Sequence, residues 1–235
     1  MNIKLMPRVE DIKDEYVLNT DAIVIDMLRA TSVIATAINN GAKQVIPVLE
    51  TKDAINMREK YDDVVLGGER KGLKIPGFDV GNSPLEYTKE FIKGKTLIIT
   101  TSNGTRAING CAKAKHIYIG SMVNGPAVAK KASEGDADIS IACAGTLGRF
   151  SLDDFICAGY IIDELLAIKK YDLDDISFTA HYVYIKNKDD VEGFIKNASH
   201  YNYLLSIGMG EDIKYCCQKS IINIVPEYIN GSIKL

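Results

Sequence analysis

AIVIDMLRATSVIATA, residues 22–37, decides how the rest of the chain is read. Its first four residues are an apolar, β-branched run bounded by Asp21 and Asp26, with the length of a buried strand. An apolar segment of helical character begins at Thr31, so the chain turns between the two. The turn carries Asp26, Arg29, Thr31 and Ser32: a carboxylate, a guanidinium and two hydroxyls beside the unpaired N–H groups of a helix start. Such a set suits an anion or a metal at the carboxyl end of a strand, where open α/β sheets place their ligands.

On either side of this stretch strands and helices alternate. Residues 2–5 read as a first strand and 9–15 as a helical or irregular lead into the second. Asn40-Gly41 caps the helix that starts at Thr31, and 45–49 and 64–66 are further apolar strands around a helix from 51 or 52 to 60. After a helix at 84–91, the strand at 96–100 runs into Thr101-Ser102-Asn103-Gly104-Thr105-Arg106, a second hydroxyl-rich turn before a helix. Strands at 117–120 and 139–143 follow, the latter entering AGTLGRFSLDD and a helix over 152–168 with Ser151 and Asp154 as a capping box. The last third reads as helices at 191–198, 201–207 and 211–219 and a closing strand at 221–225, with His181 inside an apolar strand. This alternation predicts a layered α/β/α fold with a mainly parallel or mixed sheet. The chain reads as one catalytic unit over 1–235, with a change of character near 121–126 that suggests two similar subdomains, 1–122 and 123–235, around one active site.

The pattern breaks over residues 67–84, GGERKGLKIPGFDVGNSP, which hold five glycines and two prolines with no period. A loop this long is usually functional or solvated, and Glu69, Arg70, Phe78, Asp79 and Asn82 within it favour function.

Composition narrows the partners. The chain has 235 residues, 46% hydrophobic and 25% charged, with a formal net charge of -3. It therefore offers no bulk attraction to nucleic acid or anionic lipid, and it lacks the long apolar run of a membrane span. Neither a signal-peptide core nor a cleavage pattern opens the sequence, which predicts a cytoplasmic protein. The five cysteines, odd in number and without CxxC pairs, read as reduced and mostly buried.

Chemistry concentrates at the turns. Asp26 with Arg29, Asn103 with Arg106, and Arg149 with Asp153 and Asp154 stand at three strand-to-helix turns, and the Glu69-Arg70 loop joins them. Hard carboxylate oxygens suit Mg²⁺, which needs only one or two of them besides substrate oxygens. Guanidinium forks and helix starts suit phosphate or sulfonate. Together they predict phosphoryl chemistry on a small, highly anionic substrate. No GxxxxGK[ST] loop is present and Asp26 has no second aspartate two residues on, which argues against a P-loop nucleotidase and the double-aspartate phosphatases. Cys143 to Arg149 has the C-x5-R spacing of cysteine phosphatases, a two-residue pattern that also arises by chance. His116, His181 and His200 are scattered, and only His200, beside Ser199 at a helix start, is placed to reach a cleft.

Several of these stretches, VIDMLRATSVIATAINNGA, LGGERKGLKIPGFDVGNSPLEY, TTSNGTRA, CAGTLGRFSLDDFICAG and the late SHYNYLLSIG with VPEYINGSIKL, resemble the 2-phosphosulfolactate phosphatases of coenzyme M biosynthesis. The resemblance follows the family's order through nearly the whole chain, with Ser102 where threonine is usual and Tyr201-Asn202 where glycine is expected. It implies a Mg²⁺-dependent hydrolysis of 2-phospho-3-sulfolactate to 3-sulfolactate and phosphate on a fold peculiar to the family. The expected catalytic residues are Asp26, Arg29 and Asp154, and the expected metal ligands Glu69, Asp26 and Asp153. Substrate contacts are expected from Arg29, Ala30, Thr31, Ser32, Arg70, Asn103, Gly104, Thr105, Arg106 and Arg149. Asp26 could act as metal ligand or as nucleophile. The expected partner is a small anion bearing phosphate and sulfonate, with neither nucleic acid nor membrane, and a homodimer is left open. The alternatives are a phosphatase of another small anionic ester and a non-catalytic dianion-binding protein.

Overall fold

A computed structural model describes residues 1–235. Its eleven strands are β1 (Asn2–Met6), β2 (Asp21–Ile25), β3 (Gln44–Pro47), β4 (Val64–Arg70), β5 (Leu73–Lys74), β6 (Thr96–Thr100), β7 (His116–Gly120), β8 (Ile139–Cys143), β9 (Asp172–Leu173), β10 (Glu227–Ile229) and β11 (Ser232–Lys234). They form one mixed sheet in the order β5-β4-β6-β3-β11-β10-β7-β2-β8-β1-β9. Two parallel groups, β4-β6-β3 and β7-β2-β8-β1-β9, are joined by the antiparallel β10–β11 hairpin. Three successive antiparallel pairings make the two groups run in opposite senses.

β2 lies between β7 and β8, and every one of its residues is buried. Alternation divides its side chains between two cores. Ile23 and Ile25 pack with the helices Gly125–Ala132, Leu152–Ile168 and Asp175–Asn187 on one face. Ala22 and Val24 pack with the helix Ala30–Asn39 and the helix Gly104–Gly110 on the other. The layered α/β/α expectation is met. Strands from both sides of residue 122 interleave, since β2 pairs with β7 before that point and with β8 after it.

Four local expectations are corrected. Residues 67–70 extend β4 instead of opening a loop, and β4 then turns back through β5. Gly68, at φ +137°, lets the strand lie against Thr100, because a Cβ there would collide with the Thr100 carbonyl oxygen. His181 lies in the helix Asp175–Asn187, where its Nε2 meets Asp163 at 2.9 Å. The closing strand at 221–225 is irregular, and the sheet is completed by β10 and β11. Ser151 caps no helical N–H; its hydroxyl donates to Asp153 instead, which leaves Asp154 free to point elsewhere.

All five cysteines are unpaired thiols, four of them buried. No helix is long and apolar enough to cross a membrane.

Candidate active site

The carboxyl ends of four strands deliver residues to one cavity of about 450 Å³. Asp26 and Arg29 follow β2, Glu69 is the penultimate residue of β4, Ser102 and Asn103 follow β6, and Gly145 and Thr146 follow β8. The wall opposite comes from the helix Ser199–Ser206 through Ser199, His200, Tyr203 and Leu204, with Lys71, Gly72 and Asn82 completing it.

Asp26 sits at the centre of this arrangement and is held by the helix start after it. The Ala30 N–H donates to its Oδ1 at 3.2 Å, and its own N–H donates to Thr31 Oγ1 at 3.0 Å. Gly104 closes the other side, where a Cβ would lie 2.6 Å from Asp26 Oδ2. Only glycine leaves room for that carboxylate.

The neighbouring carboxylates are each fixed by donors. Glu69 Oε1 accepts from the Ser102 N–H and Oε2 from the Gly72 N–H, both at 2.7 Å. Asp154 Oδ1 accepts from the Met27 N–H at 2.8 Å and Oδ2 from the Gly145 N–H at 2.9 Å, so it ties the turn after β2 to the turn after β8. Asp153 receives the Ser151 hydroxyl on Oδ1 and pairs with His200 Nδ1 at 3.3 Å on Oδ2. Of the eight oxygens on these four acids, Asp26 Oδ2 alone has no hydrogen-bond partner.

Electrostatics follow from this crowding. Burial pushes the Asp26 carboxyl up to about 6; the Ala30 N–H and His200 pull against that, and Glu69 and Asp153 add to it. Burial, with Asp153 and Asp26, also lifts Asp154 well above the usual carboxylate range, against its two backbone donors. For His200 burial works against the charged form, but the charge and hydrogen bond of Asp153 and the charge of Asp26 outweigh it, leaving the imidazole pKa raised. The carboxylates of Asp26 and Glu69 thus share one cavity with Arg29, Lys71 and His200, a set able to hold a cation beside an anion.

Arg29 lines the cavity while only 2% exposed, following a cis Leu28–Arg29 peptide bond. One Nη1 donor goes to Asp212 and one Nη2 donor to the Gly72 carbonyl at 2.6 Å. The other expected arginines point elsewhere. Arg70 is spent on the carbonyls of Glu69 and Leu49 and the Thr100 hydroxyl, Arg106 pairs with Glu10 at 3.2 Å, and Arg149 is exposed outside the cavity lining. Ala30, Thr31, Ser32, Gly104 and Thr105 are buried and shape the helix starts: the Ser32 hydroxyl donates to the Met27 carbonyl at 2.8 Å, and that of Thr105 to the Thr101 carbonyl at 3.0 Å. Asn103 does line the cavity. Cys143 is buried, and burial drives its thiol well above the ordinary value, which removes the thiolate that a cysteine phosphatase needs.

Asp212, Lys71 and Tyr203 carry no local signal in sequence that marks them for the site, whereas Asn82, singled out in the 67–84 stretch, does line the cavity. The Asn82 Oδ1, buried and without a partner, is an unmet acceptor beside the cavity.

The sequence model of the 2-phosphosulpholactate phosphatases matches residues 6–231. The chain belongs to this family. It is 54% identical, over 99% of its length and 100% of the relative's, to a probable 2-phosphosulfolactate phosphatase of Clostridium acetobutylicum. A similarly described protein of Clostridium novyi is 53% identical over 97% of each chain, and one of Clostridium perfringens 49% identical over 100% of this chain and 96% of its own. Membership rests on the whole chain, including the turns that build the cavity.

Proposed function

We propose that this protein hydrolyses 2-phospho-3-sulfolactate to 3-sulfolactate and phosphate with Mg²⁺ as cofactor. The observation that carries the chemistry is the single free carboxylate oxygen, Asp26 Oδ2, in a cavity that Arg29, Lys71 and His200 also line.

The donor set fits a hard cation. Mg²⁺ takes one or two protein oxygens and fills its octahedron with water and phosphate. Asp26 and the unmet Asn82 carbonyl would hold it, with the remaining lone pairs of Glu69 beside them. When bound it would supply a Lewis acid that neutralises phosphoryl charge.

The chain's own groups have separable tasks. Arg29 and Lys71 bind the oxyanions of a substrate that carries phosphate, sulfonate and carboxylate. Glu69 draws the turns of β4 and β6 together, and Asp154 those of β2 and β8, which holds the substrate's two ends at fixed separation. Asp26, largely ionised at neutral pH, either orients the attacking water or attacks phosphorus itself.

Phosphate release from 2-phosphosulfolactate, phosphoglycolate and phospholactate, each with Mg²⁺ or with EDTA, tests the reading. Turnover of the first that EDTA abolishes is the expected result. Release from another ester alone would reassign the substrate, release undiminished by EDTA would remove the metal, and binding without release from any ester would leave a dianion-binding protein.

A further inference from the structure

Arg29 and Asp212 form a buried ion pair between side chains 2% and 5% exposed, 183 residues apart in sequence. An ion pair buried this deeply adds little stability over packed hydrocarbon, because desolvation cancels most of the attraction. Its geometry is therefore the more informative property. Asp212 Oδ2 accepts from Arg29 Nη1, and Asp212 Oδ1 accepts from the Ser83 hydroxyl at 2.6 Å. Both oxygens are directed off their own helix, Gly210–Cys216, so the carboxylate is not there to cap helical N–H groups. Arg29 is pinned a second time by the Gly72 carbonyl on Nη2. A planar guanidinium held at two terminal nitrogens cannot swing, and of its five donors three stay available. Further along, Tyr215 meets Thr36 Oγ1 at 3.0 Å, which fastens the Asp212 helix to the helix that Arg29 introduces.

We propose that Asp212 is a positioning residue for substrate binding: with Ser83 behind it, it fixes the plane of the Arg29 guanidinium so that the free donors meet an oxyanion of the substrate already oriented. This deepens the phosphatase reading and rests on it. An unheld arginine would have to be ordered each time substrate binds, and that ordering cost falls on affinity. Removing the clamp should therefore raise KM and leave kcat nearly unchanged.

The test compares Asp212→Asn, Asp212→Glu, Arg29→Lys and the Asp212→Asn/Arg29→Lys double variant, by steady-state phosphate release and by calorimetric binding of 3-sulfolactate. Asp212→Asn should weaken both KM and 3-sulfolactate affinity by about tenfold, the size of one lost charge-assisted bond. Asp212→Glu keeps the charge but displaces it, so its KM should stay raised while its thermal stability returns toward wild type. The double variant should bind no worse than Arg29→Lys alone, because Asp212 acts only through Arg29. Effects that multiply in the double variant, or full recovery of KM in Asp212→Glu, would reduce Asp212 to a neutralising charge and overturn the proposal. Should Asp212→Asn fail to fold, the glutamate variant decides. A wild type that binds 3-sulfolactate but releases no phosphate would sink the phosphatase reading while leaving the calorimetric comparison able to judge the clamp.

Discussion

At the scale of single residues, Asp26 carries two opposing demands. In the proposed reaction its free oxygen acts ionised, yet its burial resists ionisation and pushes the carboxyl up to about 6. An acid whose folded pKa lies above its unfolded value of about 4 contributes most stability when protonated. In metal-free protein that contribution is complete below pH 4 and is lost as pH rises through 6, a loss on the order of 3 kcal/mol. Melting in EDTA should accordingly show stability falling across that window, and Asp26→Asn should flatten the fall while lowering phosphate release by roughly 10³-fold or more. Added Mg²⁺ should raise the melting temperature of the wild type more at pH 7.5 than at pH 5. The place of Asp26 in the cavity was legible because its partners are local: a strand end, a hydroxyl and a helix start within five residues. Asp212 was not, because a first-turn aspartate looks the same whether it caps a helix or reaches Arg29 across 183 positions.

At the scale of elements, glycine explains where sequence reading succeeded and failed. Gly67 and Gly68 hide the second half of β4 behind a composition that reads as loop, although Gly68 is there so that the strand can pass the Thr100 carbonyl. Periodicity registers side chains, and a strand that needs its backbone bare for close pairing gives it nothing to register. The capping box at Ser151 failed for the converse reason: the local pattern was present, but Met27 and Gly145 supply Asp154 with better-buried donors. Gly68→Ala brings both a steric collision and a φ of +137° that alanine rarely adopts. We expect it to cost at least about 3 kcal/mol in urea denaturation, with activity lost because Glu69 would leave the cavity. Gly77→Ala, whose Cβ meets nothing, should suffer only the strain of its φ of +83° and serves as the control.

At the scale of the whole molecule, the site is shared between two parallel groups of strands that the C-terminal hairpin joins. Asp26 and Gly145 come from one group, Glu69 and Ser102 from the other. The two are also fused by a common core: Val24, Ile117 and Ile119 from one group, Val45, Val65 and Leu97 from the other, and Ile233 of β11 lie in the same cluster. A core that spans both groups makes independent unfolding costly, since separating them would expose it on each side. Calorimetry of the wild type should therefore give one transition, with calorimetric and van't Hoff enthalpies equal. Ile233, fully buried and paired with Val45, is the side chain whose loss tests this. Ile233→Ala should lower stability by about 2–4 kcal/mol, as the loss of three side-chain carbons from a close-packed core does, and should shift the single transition downward without dividing it. Two resolved peaks, one sensitive to Ile233 and one not, would mean that the halves fold separately and that the cavity depends on their docking.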